Sequence, residues 1–198
     1  MRMNALVALS VLCLAAVLGA QPPVTPPPHA DDDALLKDFQ ARVSRYMDLR
    51  NQHSSVAPKP TNSPQQLHQA KKEMAARIQT SRANAPQGEI FSPPIADYFR
   101  RQIAATLNGP TGKRVRASLR GAEPDAKVPL KINTPYPEHV PLQSTPPTLL
   151  LNLPKLPREL EYRIVGRALV LRDIEPNLIV DFISDALPPQ AQKQVQEK

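Results

Sequence analysis

The sequence predicts an α+β fold, with helices in the N-terminal part and a three- or four-stranded antiparallel β-meander at the C-terminus. Three observations predict it. Between about residues 31 and 107, apolar residues recur at three- and four-residue steps, the period of helices with one buried face. From Leu160 onward they alternate at period two, in short runs separated by turn residues, the pattern of half-buried strands. The two patterns are segregated along the chain, which favours α+β over interleaved α/β.

The first 20 residues are expected to lie outside this fold. Arg2 precedes an apolar stretch, 5–18, broken only by Ser10, and small residues Gly19 and Ala20 follow. This is the layout of a secretory signal peptide cleaved near residue 19 or 20. The run is shorter than the roughly 20 residues a spanning helix needs. Cys13, the single cysteine, lies inside it, and the bulky Leu12 before it argues against a lipid-anchor signal. The mature chain is left without cysteine, which excludes disulfides, a thiolate nucleophile and cysteine-based zinc sites. Residues 21–30, QPPVTPPPHA, form a Pro-rich tether.

Asp31, Asp32 and Asp33 suit the positive end of a helix dipole. The helix they open carries Leu36, Phe39, Val43, Tyr46, Met47 and Arg50 on one stripe and is expected to end near Gln52. Pro58 and Pro60 break the pattern. A second helix starts with Ser63 as cap, Pro64 in the first turn and Gln66 at the reciprocal capping position. Its seam of Leu67, Ala70, Met74 and Ile78 is narrow, and Gln87-Gly88 is the expected stop. The two form an antiparallel helical hairpin over 31–85, whose thin seam a second copy would complete.

Residues 86–188 make up the α+β module. Ser92-Pro93-Pro94 starts a third helix that buries Ile95, Tyr98, Phe99, Ile103 and Leu107 and stops at Asn108-Gly109-Pro110. A short helix is expected over 112–119, and an edge strand over 127–133, where Pro129 rules out a central position. The 134–157 stretch holds seven prolines and is predicted irregular, with one short helix at 148–153. In the meander, Gly166-Arg167 fits a two-residue type II′ turn. That register places Leu160, Tyr162, Ile164, Leu169 and Leu171 on the core face, and sets Glu161 opposite Arg172 on the other. After a turn at 174–177, Leu178, Val180 and Phe182 face the core, and Asp181 joins the charged face diagonal to Arg172. The tail, 189–198, has no apolar periodicity and reads as disordered.

The segments IFSPPIADYFRRQIAATLNGPTGKRVRASLRGAEP and, above all, LEYRIVGRALVLRDIEPNLIVDFI resemble a group of exported bacterial proteins of unknown function, of acidobacteria-like and related bacteria. The resemblance spans about residues 89–188. It implies export and a shared C-terminal module, and it implies no activity, cofactor or catalytic residue.

Chemistry has to be read from clusters of side chains. Arg100, Arg101, Lys113, Arg114, Arg116 and Arg120 fall in a window without any acid between Asp97 and Glu123, and such clusters grip phosphate or carboxylate groups. A solvated helix face is the competing explanation. The formal net charge of +7, of which Arg2 in the leader supplies one, favours anionic partners. Glu161, Arg163, Arg172 and Asp181 form either a polar recognition surface or a cross-strand ladder that keeps the sheet in register. Gly109-Pro110-Thr111-Gly112-Lys113 lacks the spacing of a phosphate loop.

No cofactor and no metal site is predicted, because His29, His53, His68 and His139 are scattered. The acids Glu89, Asp97, Glu138, Asp173 and Asp181 could in principle form a carboxylate pair, though the sequence alone brings no two of them together. The function expected is therefore a non-catalytic, exported, envelope-associated interaction protein in the periplasm or outside the cell. Its partners would be an anionic envelope polymer or lipid headgroups, a protein paired at a strand edge, or a second copy through the hairpin. Sequence-specific nucleic acid is not expected. A carboxylate-dependent hydrolase is the alternative.

Overall fold

A computed structural model of the protein describes residues 30–54, 63–121, 129–138 and 145–189. The predicted leader, nearly all of the tether, the 55–62 loop, the start of the expected 127–133 strand and the tail from residue 190 lie outside the described residues. So do His29 and His139.

The order is α1 (Ala30–Ser54), α2 (Pro64–Ser81), α3 (Pro93–Asn108), α4 (Gly112–Gly121), α5 (Pro147–Leu150), then β1 (Leu160–Val165), β2 (Ala168–Asp173) and β3 (Leu178–Ile183). The strands form an antiparallel meander of order β1-β2-β3, so the α+β reading holds. No helix among the described residues is long and apolar enough to cross a membrane.

Helices and sheet share one core. Phe39 and Val43 of α1, Ile78 of α2, and Ile95, Phe99 and Ile103 of α3 pack with Tyr162, Leu169 and Leu171 on the inner face of the sheet. Phe99 is the hub, with the rings of Phe39 and Phe91 each 5.2 Å away and that of Tyr162 5.7 Å away, all edge-on. Edge-to-face packing suits the ring quadrupole and adds to what burial alone supplies. Few as they are, the aromatic residues are concentrated where the helices meet the sheet.

Ser63 caps α2, its hydroxyl accepting from the Gln66 amide, with Pro64 in the first turn, as the sequence predicts. Only Met74, Ala75 and Ile78 of α2 are buried. Leu67 is 47% exposed, so the N-terminal half of the predicted seam lies outside the core. The helix also ends earlier than Gln87-Gly88: Arg82 is its C-cap, donating its amide to the Ile78 carbonyl, and the Ala83 amide donates to the Thr80 carbonyl. A turn-rich segment, 82–91, carries the chain back to α3.

Pairing between β1 and β2 follows the predicted register, from Glu161 opposite Arg172 to Val165 opposite Ala168. Gly166 has φ +55 and no neighbour where a Cβ would stand, so the turn needs glycine for its backbone and not for space.

The β2–β3 pairing departs from the prediction. Arg172 pairs with Ile179, but Leu171 pairs with Asp181, leaving Val180 as the extra residue of a β-bulge. A bulge places two successive side chains on one face and inverts the alternation beyond it. Asp181 therefore sits on the inner face, wholly buried, and Phe182 turns outward to pack with Val165, Val170 and Ile179. The expectations that Asp181 lies on the charged face and that Phe182 faces the core are both corrected.

The expected edge strand is also replaced, among the described residues, by a shorter contact. The Asn133 amide donates to the Ile179 carbonyl (2.8 Å), Ile179 to Thr134 (2.9 Å) and Tyr136 to Asn177 (2.8 Å). Asn133, at φ 62, also exchanges hydrogen bonds with Gln79 and donates to the Arg82 carbonyl. A single left-handed asparagine thus ties the end of α2 to the outer edge of β3. This segment satisfies the backbone groups an open edge would leave free. On β1 the Leu160 and Ile164 amides are taken by the Pro157 carbonyl and the Thr145 hydroxyl. These contacts take up much of the β3 edge and two amides of the β1 edge.

Candidate functional site

Three members of the predicted basic window make contacts within the fold. Arg100 donates to Asp97 and to the Ser184 carbonyl. Arg101 pairs with Asp32 of α1 at 2.9 Å and lies over the Tyr98 ring. Arg116 donates to the Leu107 carbonyl, closing the α3–α4 junction. That junction is tight, since a Cβ on Gly112 would stand 1.8 Å from the same carbonyl oxygen. These three cations fasten the fold together. Lys113 and Arg114 are exposed in the first turn of α4, with no ion pair among the described residues. The side chain of Arg120 is not among those described.

The predicted sheet-face group is brought together except for Asp181. Glu161 accepts from Arg163 with one carboxylate oxygen and from Arg172 with the other. Arg172 continues to Asn177 Oδ1 (2.9 Å), and Asn177 donates to the Tyr136 carbonyl (2.8 Å). Burial alone would raise the Glu161 carboxyl, but the two guanidiniums outweigh it and hold the group below its ordinary value. This is a register lock of the kind cross-strand charge pairs supply.

Asp181 does different work inside. Its carboxylate accepts from the amides of Gly88, Ile90 and Phe91 at 2.8–3.0 Å, and from Phe182 at 2.8 Å. The 82–91 segment has few secondary-structure bonds of its own, and this one side chain satisfies several of its amides. It sets the course of the segment past α1.

Beside it lies a network the sequence stripe contains but does not explain. Asp173, at the end of β2, is wholly buried. Its Oδ2 accepts from the Tyr46 hydroxyl at 2.7 Å and from Arg50 Nε at 2.9 Å, both on α1. Arg50 reaches on to Glu175 at 2.8 Å. Asp173 Oδ1 has no partner at hydrogen-bonding geometry, though the Glu175 amide acts on the group. Burial pushes the Asp173 carboxyl above its ordinary range despite these donors. Burial, followed by the Asp173 charge, pushes the Tyr46 phenol well above its usual value. The signals were present: Arg50 interrupts an apolar stripe, and period two carried one residue further puts Asp173 on the core face.

Tyr46 also forms the wall of a cleft of about 210 Å³ between α1 and the 82–91 segment, lined by Arg42, Arg45, Tyr46, Leu49, Arg82, Glu89 and Ile90. Arg42, Arg45, Tyr46 and Leu49 follow helical three- and four-residue steps, so one face of α1 supplies them all. Arg42 is oriented by Asp38 at 2.9 Å and by the Glu89 carbonyl at 2.7 Å. The side chain of Arg82 is only 4% exposed. Its guanidinium lies 5.1 Å from the Tyr46 ring centre and donates through Nη2 to Glu89 (2.7 Å) and to the Val180 carbonyl (3.2 Å). Arg82 Nη1 is buried without a partner. Arg45 is exposed and makes no hydrogen bond or ion pair among the described residues.

Among the described residues, no three metal-ligating side chains are grouped to hold an ion. Comparison with protein-family models, curated proteins and solved structures finds no match to this chain.

Proposed function

We propose that this chain is a non-catalytic, exported protein that attaches to an anionic component of the cell envelope, a polymer or a layer of lipid headgroups. The observation that carries the reading is a pair of exposed cations, Lys113 and Arg114, in the first turn of α4. Asp173 and Asp181 are buried and engaged by donors, so neither offers a free carboxylate to a substrate or a water. Lys113 and Arg114 stand exposed with no ionic partner among the described residues. Their position is unfavourable for the helix itself, since cations at the positive end of the dipole lose about 0.3–1 kcal/mol each. Helix stability does not account for them, and attraction to an anionic surface does. A carboxylate-dependent hydrolase needs two reachable acids beside one cavity. The cleft on α1 offers one, Glu89, already held by Arg82.

Co-sedimentation of the mature protein with isolated envelope fractions across a salt series tests the reading. Retention is expected to fall as salt rises, and Lys113→Glu with Arg114→Glu is expected to weaken it and flatten its salt dependence. Arg116 is left unchanged because it closes the α3–α4 junction. Retention indifferent to both salt and charge reversal would overturn the proposal.

A further inference from the structure

We infer that the cleft between α1 and the 82–91 segment is a discrete site for a single small oxyanion, with Arg82 as its buried anchor and Arg45 as its outer grip. The inference does not depend on envelope attachment through α4, because different residues carry it. A guanidinium donates through five N–H groups, and leaving one buried and unpaired is costly. Arg82 Nη1 is such a nitrogen, on a side chain nine-tenths buried and lining the cleft. Its other terminal nitrogen is fixed by Glu89 and by the Val180 carbonyl, and its Cζ lies over the Tyr46 ring. The anchor is therefore held in one orientation before any ligand arrives.

Charge sets the ligand's class. Arg42 is balanced by Asp38, and Arg82 by Glu89. Arg45 is left over, so the cleft carries one uncompensated cation and suits one negative charge. The planar forks of arginine match the oxygens of a carboxylate or a phosphate group. Volume sets the ligand's size. At about 210 Å³, the cleft is below the roughly 300–1,000 Å³ usual for a whole small-molecule site. It takes a charged head group whose remainder stays in solvent.

The test is an NMR titration of the full mature chain with inorganic phosphate and, separately, with acetate, following the Glu89 and Ile90 amides and the Tyr46 ring. Saturable shifts at these positions are expected for at least one anion, and the tighter of the two identifies phosphate or carboxylate as the natural head group. Arg45→Ala removes an exposed side chain and leaves the fold intact, and it is expected to weaken binding about tenfold. Arg114→Ala is expected to leave these shifts unchanged, which separates this site from the α4 surface. Arg82→Ala is expected to abolish them; should it not fold, Arg45→Ala decides alone. Absence of saturable shifts with both anions, or equal affinity in Arg45→Ala, would overturn the inference.

Discussion

Asp173 on the inner face of the sheet and Glu161 on the outer face are both held by arginine, yet the two carboxyls are driven in opposite directions. Asp173 is wholly buried, with Tyr46 and Arg50 converging on one oxygen. There the loss of water outweighs the donors, and its carboxyl rises. Glu161 is only partly covered and accepts from a separate arginine on each oxygen. There the donors outweigh the loss of water, and its carboxyl falls. Same pairing chemistry, different depth. The inner acid joins distant parts of the chain, α1 and β2, whereas the outer acid joins neighbouring strands and marks their register.

The largest effect expected from this contrast is at Asp173. Asp173→Ala leaves Arg50, 5% exposed, without its inner partner and the Tyr46 hydroxyl without its acceptor. Removing one member of a buried pair costs about 3–5 kcal/mol, to be read from urea denaturation midpoints. Replacing Tyr46, Arg50 and Asp173 together by Phe, Met and Leu is expected to recover most of that loss, because the stranded charge disappears with its partner. A triple variant as unstable as Asp173→Ala would break the comparison, since the cost would then lie in packing and not in an unpaired charge.

Asp181→Ala is expected to cost somewhat less, about 3 kcal/mol, through the buried amides of Ile90 and Phe91 it strands. Its signature is local. Hydrogen exchange is expected to accelerate across 82–91 well before the sheet opens, because Asp181 and not a strand or helix holds that segment.

How much of this was legible in the sequence differs between the two faces as well. The β1–β2 register, the Glu161–Arg172 pair and the Ser63 cap all rest on interactions between residues close in the chain, where spacing alone decides the geometry. Asp181 was not legible, because a bulge at Val180 has no glycine or proline to announce it and reverses every side chain after it. The basic window was legible as composition, whereas the contacts of its members within the fold were not. Arg100, Arg101 and Arg116 find their partners in Ser184, Asp32 and Leu107, and the first two contacts join residues 84 and 69 apart in sequence. The cleft combines helical spacing on α1, which the sequence shows, with Arg82, whose arrival depends on where α2 stops. Tertiary contacts decide that stop.

Acid response sharpens the contrast further. A carboxyl raised in the folded state, as at Asp173, adds stability below its ordinary value of 3.8, and this is lost as pH rises through the raised value. A carboxyl lowered in the folded state, as at Glu161, adds stability above its ordinary value of 4.5, and this is lost as pH falls through the lowered value. Between neutral pH and about pH 3 the two oppose each other. Asp173→Asn is therefore expected to make the acid loss of stability steeper and Glu161→Gln to make it shallower, measured as denaturation midpoints across that range. Slopes changing in the same direction in both variants would remove the distinction between the faces.

The smallest effect is expected from Glu161 at neutral pH. Its partners Arg163 and Arg172 retain access to solvent and, for Arg172, a second acceptor in Asn177, so neither is stranded when the carboxylate is removed. Part-exposed pairs of this kind contribute about 0.5–1 kcal/mol, and Glu161→Gln should cost no more than that at low ionic strength and less as salt screens the pair. What the substitution should change is register fidelity. Arg172 would keep Asn177 and lose its cross-strand partner, so amide exchange along β1 is expected to rise relative to β2 and β3. A loss as large as that of Asp173→Ala, insensitive to salt, would mean that the outer network is as sealed as the inner one and that depth does not separate them.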